Sequence, residues 1–186
     1  MQPKSMGTFG LLEAVQFAAE KHKHQRRKDF AATPYINHPI RVAAILNETG
    51  HHDVVVLCAA ILHDTVEDTD TSSEELAERF GTDVSDIVME VTDDKRLPKA
   101  ERKRLQVEHA KDLSFGAGLV KISDKIANME NIITNPPVGW SVDRQQAYFD
   151  WSHDVVYNIQ NRDKELELAF QNTYERGMRH FDELRG

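Results

Sequence analysis

The sequence predicts an all-α protein, a single helical bundle of about eight to ten helices. Three observations predict it. Glycine and proline are sparse, 9 and 6 among 186 residues. Strand-like alternation of apolar and polar residues is almost absent. Apolar residues instead return every three or four positions, as in Leu119, Ile122, Ile126, Met129 and Ile133, which is the spacing of an amphipathic helix. A chain of this length buries one good core, and no repeat or low-complexity tract divides it. Residues 9–180 therefore read as one domain, with 1–8 a flexible N-terminus and 181–186 a C-terminal tail.

Each element has its own signal. Leu11, Leu12, Val15, Ala18 and Ala19 outline a first helix running toward Lys21, and the basic, polar stretch Lys21–Thr33 reads as a loop. Pro39 suits a first helical position, which makes His38 the N-cap, with Ile40, Ala43, Ala44 and Leu46 following at helical spacing. Gly50-His51-His52-Asp53 breaks that helix before another over Val54–Glu67. Thr71 and Ser72, followed by Glu74 and Glu75, offer a capping box for a short helix that stops at Gly81. Asp83–Thr92 is a helix, Asp93–Pro98 a charged loop, and Lys99–Lys111 a polar helix. After the Leu119–Ile133 helix comes a turn at Pro136-Pro137-Val138-Gly139. Tyr148, Trp151, Val155 and Ile159 then mark a long helix, and Leu166, Phe170 and Thr173 a final one.

Composition narrows the function. A formal net charge of -8 argues against a general nucleic-acid-binding surface. The single cysteine, Cys58, lies in the apolar run Val54–Leu62; a reduced, buried thiol fits the cytoplasm. That run is too short to span a bilayer, and Met1–Gly7 lacks the apolar region of a secretory signal. Gly116-Ala117-Gly118 is no phosphate loop, since no strand precedes it and no lysine-containing motif follows.

The chemistry concentrates in Leu62-His63-Asp64-Thr65-Val66-Glu67-Asp68. On a continuous helix His63, Glu67, Asp64 and Asp68 fall within an arc of roughly 140°. Three acids and an imidazole so crowded repel and desolvate one another unless a cation sits among them. On the Leu119–Ile133 helix Lys121, Asp124 and Asn128 lie opposite the apolar stripe, where the plain alternative is a solvated face. Joined with His38, these residues offer two imidazoles and two carboxylates. Such a set suits Mn²⁺, Fe²⁺ or Zn²⁺ better than a dedicated Mg²⁺ or Ca²⁺ cage. The other histidines, His22, His24, His51, His52, His109, His153 and His180, have no partner at ligand spacing.

Five strings carry a family resemblance: Arg26-Arg27-Lys28-Asp29, Thr33-Pro34-Tyr35-Ile36-Asn37-His38-Pro39, His63-Asp64-Thr65-Val66-Glu67-Asp68-Thr69, Val91-Thr92-Asp93-Asp94-Lys95 and Lys121-Ile122-Ser123-Asp124-Lys125. In this order they resemble the HD-domain hydrolase of the RelA/SpoT family, in its small stand-alone branch that includes the metazoan SpoT homologues. The resemblance spans about Leu11 to Gly177. It implies an HD-domain helical bundle that uses one Mn²⁺ per active site, Zn²⁺ or Fe²⁺ being the alternatives that the donor set leaves open. The activity implied is removal of the 3′-pyrophosphate from ppGpp and pppGpp.

The resemblance also assigns residues. His38, His63, Asp64 and Asp124 would ligate the metal, and Glu67 and Asp68 would orient the attacking water and accept its proton. Arg27 would stack on guanine, Lys28 would be available to a phosphate, and Asn128 would hydrogen-bond sugar or base. In the cluster Lys95, Arg96, Lys99, Arg102, Lys103 and Arg104, a solvated helix face competes with a funnel for a polyanion; Lys99 is the candidate for substrate contact. Arg144 and Tyr148, one turn apart, are candidates for the pocket mouth, although Tyr148 also fits a core stripe. The partner implied is a guanosine polyphosphate, with neither nucleic acid nor membrane, and a homodimer is compatible with it. Ser123, Ala127 and Met129-Glu130 depart from the branch, which bears on fine substrate preference. The rivals are an NADPH 2′-phosphatase on the same site, another HD-domain nucleotide phosphohydrolase such as a 5′-nucleotidase, and an alarmone-binding module without turnover.

Overall fold

Ten α-helices and one 3-10 turn make up the described residues, 8–186, of the computed structural model, and no extended strand occurs among them. The expected flexible stretch 1–8 lies outside the described residues except for Thr8, which opens α1 (Thr8–Lys21). The polar loop that follows is pinned by one antiparallel bridge between Arg26 and Pro34. Next come α2 (Asn37–Glu48), α3 (Val54–Leu62) and the single turn α4 (Thr65–Asp68). The hairpin α5 (Ser73–Phe80) and α6 (Thr82–Val91) follows, then α7 (Lys99–His109) and a 3-10 turn at Ala110–Asp112. The chain closes with α8 (Phe115–Thr134), α9 (Val142–Asn158) and α10 (Lys164–Arg185).

Two helices organise the core. α3 is apolar all round, buried from Leu57 to Leu62, and sits among α1, α2 and α6. Its start is fixed by Asp53, whose carboxylate accepts from Val55 N at 2.8 Å. α8 packs on α2, α3, α6, α9 and α10, so most of its circumference is buried. Lys121 and Lys125 are buried with it, so this side of the helix is an interior wall and not the solvated face that stood as the plain alternative. The α5–α6 hairpin forms as its signals predict, with Ser72 accepting from Glu75 N at 3.2 Å and Gly81 at φ 92° between the helices. That positive φ suits a residue without Cβ.

Four boundaries differ from expectation. His38 is not the N-cap of α2. The chain already turns helically through Pro34–Ile36, with Asn37 N donating to Pro34 O and His38 N to Tyr35 O, so the helix starts ahead of Pro39. Pro39 costs nothing there, because first-turn N–H groups have no intrahelical acceptor. The expected helix Val54–Glu67 is broken after Leu62, and the Lys99–Lys111 helix tightens into 3-10 at Ala110. α10 runs through the expected tail to Arg185, anchored by the fully buried Phe181. No helix among the described residues is long and apolar enough to cross a membrane.

Candidate metal centre and active site

The break after α3 builds the site. Thr65 Oγ1 donates to Leu62 O at 2.7 Å, His63 Nδ1 lies 2.8 Å from Ala60 O, and Asp64 relaxes to φ -97°, ψ -3°. This opened turn sets His63 Nε2 3.0 Å from Asp64 Oδ2. From the first turn of α2, His38 Nε2 reaches Asp124 Oδ1 of α8 at 3.1 Å and Asp64 Oδ2 at 3.7 Å. His38, His63 and Asp124 each present a ligand atom, all within 4.8 Å of one another. Asp64 stands outside that triad but touches both imidazoles.

The donor chemistry fits a divalent metal ion. A carbonyl only accepts, so the bond to Ala60 puts a proton on His63 Nδ1, and in the neutral ring Nε2 is then a lone pair. Nε2 is buried without a satisfactory hydrogen-bond partner, as a metal ligand would be before binding. Burial holds the His38 pKa below its ordinary value and keeps that ring neutral. Burial opposes charge on His63 too, yet the Asp64 and Asp124 carboxylates overcome it and push its pKa up to about 9. Asp64 and Asp124 both ionise more readily than usual despite burial: His63 drives the shift at Asp64, and Lys125 leads it at Asp124. Such a site draws positive charge from whatever source is present.

Neighbouring side chains hold the two carboxylates: Tyr35 and Lys125, to which the sequence assigned no role, and Asn128, which it assigned to substrate. Tyr35 donates to Asp64 Oδ2 at 2.5 Å; burial, then the Asp64 charge, raise its pKa and keep the phenol protonated. Asn128 donates to Asp124 Oδ1 at 2.6 Å and accepts from Arg27 at 2.8 Å, so both expected substrate contacts are engaged within the protein. Lys125 Nζ lies 3.4 Å from Asp124 Oδ2 and 3.0 Å from Gln106 Oε1, and burial depresses its pKa to about 8.

Glu67 and Asp68 part company. Glu67 lines a cavity of about 310 Å³ together with His38, His63, Asp64 and Asp124. Burial, then the Asp64 charge, raise its pKa, and it accepts from Asp93 N at 3.2 Å. Asp68 borders an adjoining cavity of about 380 Å³ with Arg27 and Lys28, where Gln25 and Lys95 bind its two oxygens.

The basic cluster also divides. Lys99, Arg102 and Lys103 line the metal cavity, whereas Arg96 pairs with Asp94, and Arg104 with Glu101 and Glu108, away from it. Arg144 lies 4.4 Å from the Trp140 ring centroid and Lys103 lies 4.4 Å from that of Trp151. Tyr148 stands between these two tryptophans, half-buried, and lines both cavities. Burial, then neighbouring cations such as Arg144, lower the pKa values of Lys99 and Lys103. The sequence reading took Trp151 for part of a helix stripe and did not single out Trp140.

Fold and site together define a helical protein with a candidate divalent-metal site, and its sequence matches the family described as HD domain over residues 14–150. The chain belongs to the HD-domain family. It is 55% identical over 170 residues to the guanosine-3′,5′-bis(diphosphate) 3′-pyrophosphohydrolase MESH1 of Homo sapiens, covering 90% of this chain and 95% of that one. The enzyme of the same description from Aquifex aeolicus is 40% identical over 126 residues, which cover 64% of this chain but 17% of that longer protein. A solved structure described as a metazoan ortholog of SpoT that hydrolyses ppGpp superposes with a TM-score of 0.86 at 45% identity, covering 95% of this chain and 97% of that one.

Proposed function

We propose that this chain is a guanosine-3′,5′-bis(diphosphate) 3′-pyrophosphohydrolase that works with one Mn²⁺ per active site, Zn²⁺ or Fe²⁺ being the alternative ions. The observation that carries the reading is the buried His38–His63–Asp124 cluster sharing one cavity with Glu67 and with Lys99 and Lys103, in a chain 55% identical to an enzyme of that activity.

His38, His63, Asp64 and Asp124 would hold the ion, with Tyr35, Lys125 and Asn128 fixing the carboxylates. The ion supplies Lewis acidity, which makes water a stronger acid and polarises the phosphoryl group. Glu67, its carboxyl made more basic by burial and the Asp64 charge, takes the proton of the attacking water, and Asp68 helps to orient that water. Water adds to the phosphorus on the ribose 3′-oxygen and the P–O3′ bond breaks. The 3′-oxygen keeps the pair and takes a proton, leaving GDP and pyrophosphate from ppGpp, or GTP from pppGpp. Lys99, Lys103 and Arg144 neutralise the phosphates, Lys28 contacts one of them, Tyr148 lines the nucleoside site, and Arg27 and Asn128 exchange their mutual bond for base and sugar. Cytoplasmic action on a free nucleotide, with neither nucleic acid nor membrane, belongs to the same proposal.

Metal-stripped protein is incubated with ppGpp, NADPH or a nucleoside monophosphate, with Mn²⁺, Zn²⁺ or Mg²⁺ added back. GDP and pyrophosphate from ppGpp with Mn²⁺ are expected. Turnover confined to NADPH would move the substrate to its 2′-phosphate, and no turnover with any metal would overturn the enzyme reading. Asp64→Ala is expected to abolish metal binding, whereas Glu67→Gln keeps the metal and loses about 100-fold or more in kcat. A Glu67→Gln enzyme with near-normal kcat would remove that residue from the proton transfer.

A further inference from the structure

Behind Asp68 lies a two-residue relay. His22 directly follows α1 and is buried, with 2% of its surface exposed. Its Nδ1 lies 2.6 Å from Gln25 Oε1, and Gln25 Nε2 donates to Asp68 Oδ2 at 2.7 Å. A carboxylate only accepts, so the Gln25 amide turns its NH₂ to Asp68 and its oxygen to His22. That oxygen in turn requires a proton on His22 Nδ1 and leaves Nε2 as a lone pair. Nε2 is buried with no hydrogen-bond partner. An imidazole with one nitrogen unsatisfied in the interior is a poorer core filler than an apolar side chain of its size. Packing against Tyr35, with ring centroids 4.9 Å apart, therefore does not account for a histidine here. The bond to Gln25 does.

We propose that His22 is a positioning residue, which acts through Gln25 to fix Asp68 Oδ2. The second oxygen, Oδ1, is left to Lys95 and the adjoining cavity. The relay rests on the hydrolase reading for what Asp68 accomplishes, but not for its own geometry. His22 sets Gln25, Gln25 sets Asp68, and the metal ligands stand outside this line.

The test replaces His22 by Leu, which keeps bulk but loses the donor, and by Asn, whose amide N–H falls near Nδ1. Against ppGpp with Mn²⁺, His22→Leu is expected to lower kcat about 10–100-fold while the Mn²⁺ Kd stays within about twofold. His22→Asn recovers most of the loss. Gln25→Leu, outside the core, reproduces the kcat loss, and the double variant loses no more than either single one. Long-range ¹H–¹⁵N correlation in the wild-type protein is expected to show the Nδ1-protonated tautomer of His22. An Nε2-protonated His22, an Asn variant no better than Leu, or a Gln25→Leu enzyme with normal kcat would each overturn the relay. Absence of ppGpp turnover by the wild-type protein would instead overturn the hydrolase reading, while the tautomer still decides the relay.

Discussion

Tyr35 shows how much of a metal site lies in residues that never touch the ion. Its hydroxyl bonds Asp64 Oδ2, so a phenylalanine at this position would leave the carboxylate free to rotate and uncompensated on one side. Tyr35→Phe is expected to weaken Mn²⁺ binding about tenfold, measured by calorimetric titration, while the fold stays intact because ring packing is kept. The sequence pointed to His38, His63, Asp64 and Asp124 because few side chains ligate metals and those few stood in a recognisable order. Tyr35, Lys125 and Gln106 were illegible for the opposite reason. A tyrosine or a lysine has many ordinary uses, and only distances of 2.5 to 3.4 Å to the carboxylates and to each other reveal this one.

Among the helices, the periodic bodies were more legible than the ends or the interruptions. Ser72, Ser114, Ser141 and Asp163 all cap their helices with a side-chain oxygen, and of these the sequence reading named only Ser72. Asp163→Ala removes the bond to Leu166 N, 3.0 Å long, and is expected to lower stability by about 1 kcal/mol in denaturant unfolding. The break between α3 and α4 was hidden because nothing in His63-Asp64 forbids a helix locally. It is imposed by the side-chain bond from Thr65 to Leu62 O and by the site that the break assembles. Gly177 in α10 was equally silent. A Cβ there would lie 2.6 Å from Phe149 Cζ, and Phe149 is fully buried against Phe181. Gly177→Ala therefore gains helix propensity of about 1 kcal/mol but overpacks a rigid aromatic cluster. A net loss is expected, read as a lower thermal midpoint, and a raised midpoint would mean that α9 and α10 can slide apart.

Over the whole molecule, the centre joins segments distant in the chain: α2, the α3–α4 turn and α8 supply its donors. An ion bound to all of them stabilises the folded state over the unfolded one. Metal at about 100 times its Kd is expected to add roughly 2.7 kcal/mol, so the thermal midpoint should rise with Mn²⁺ and fall back with chelator. A midpoint indifferent to metal would mean that no ion binds there. The all-α architecture was legible because helical periodicity is a local signal. The convergence of those segments is not local, and the order of motifs conveyed it only by resemblance.

α7 joins this assembly on unusual terms. It carries Lys99, Arg102, Lys103 and Gln106 to the cavity, yet not one of its residues is buried. The hydrophobic core thus has little stake in what α7 displays, and the site has a great deal. Substitutions at Lys99, Arg102 and Lys103 can accumulate without threatening folding while they alter which phosphorylated molecule the cavity accepts, whereas Val107 packs on the core and Gln106 holds Lys125. Catalytic range in such a protein can drift on the cavity-facing cations of one half-buried helix, leaving the metal-holding scaffold unchanged.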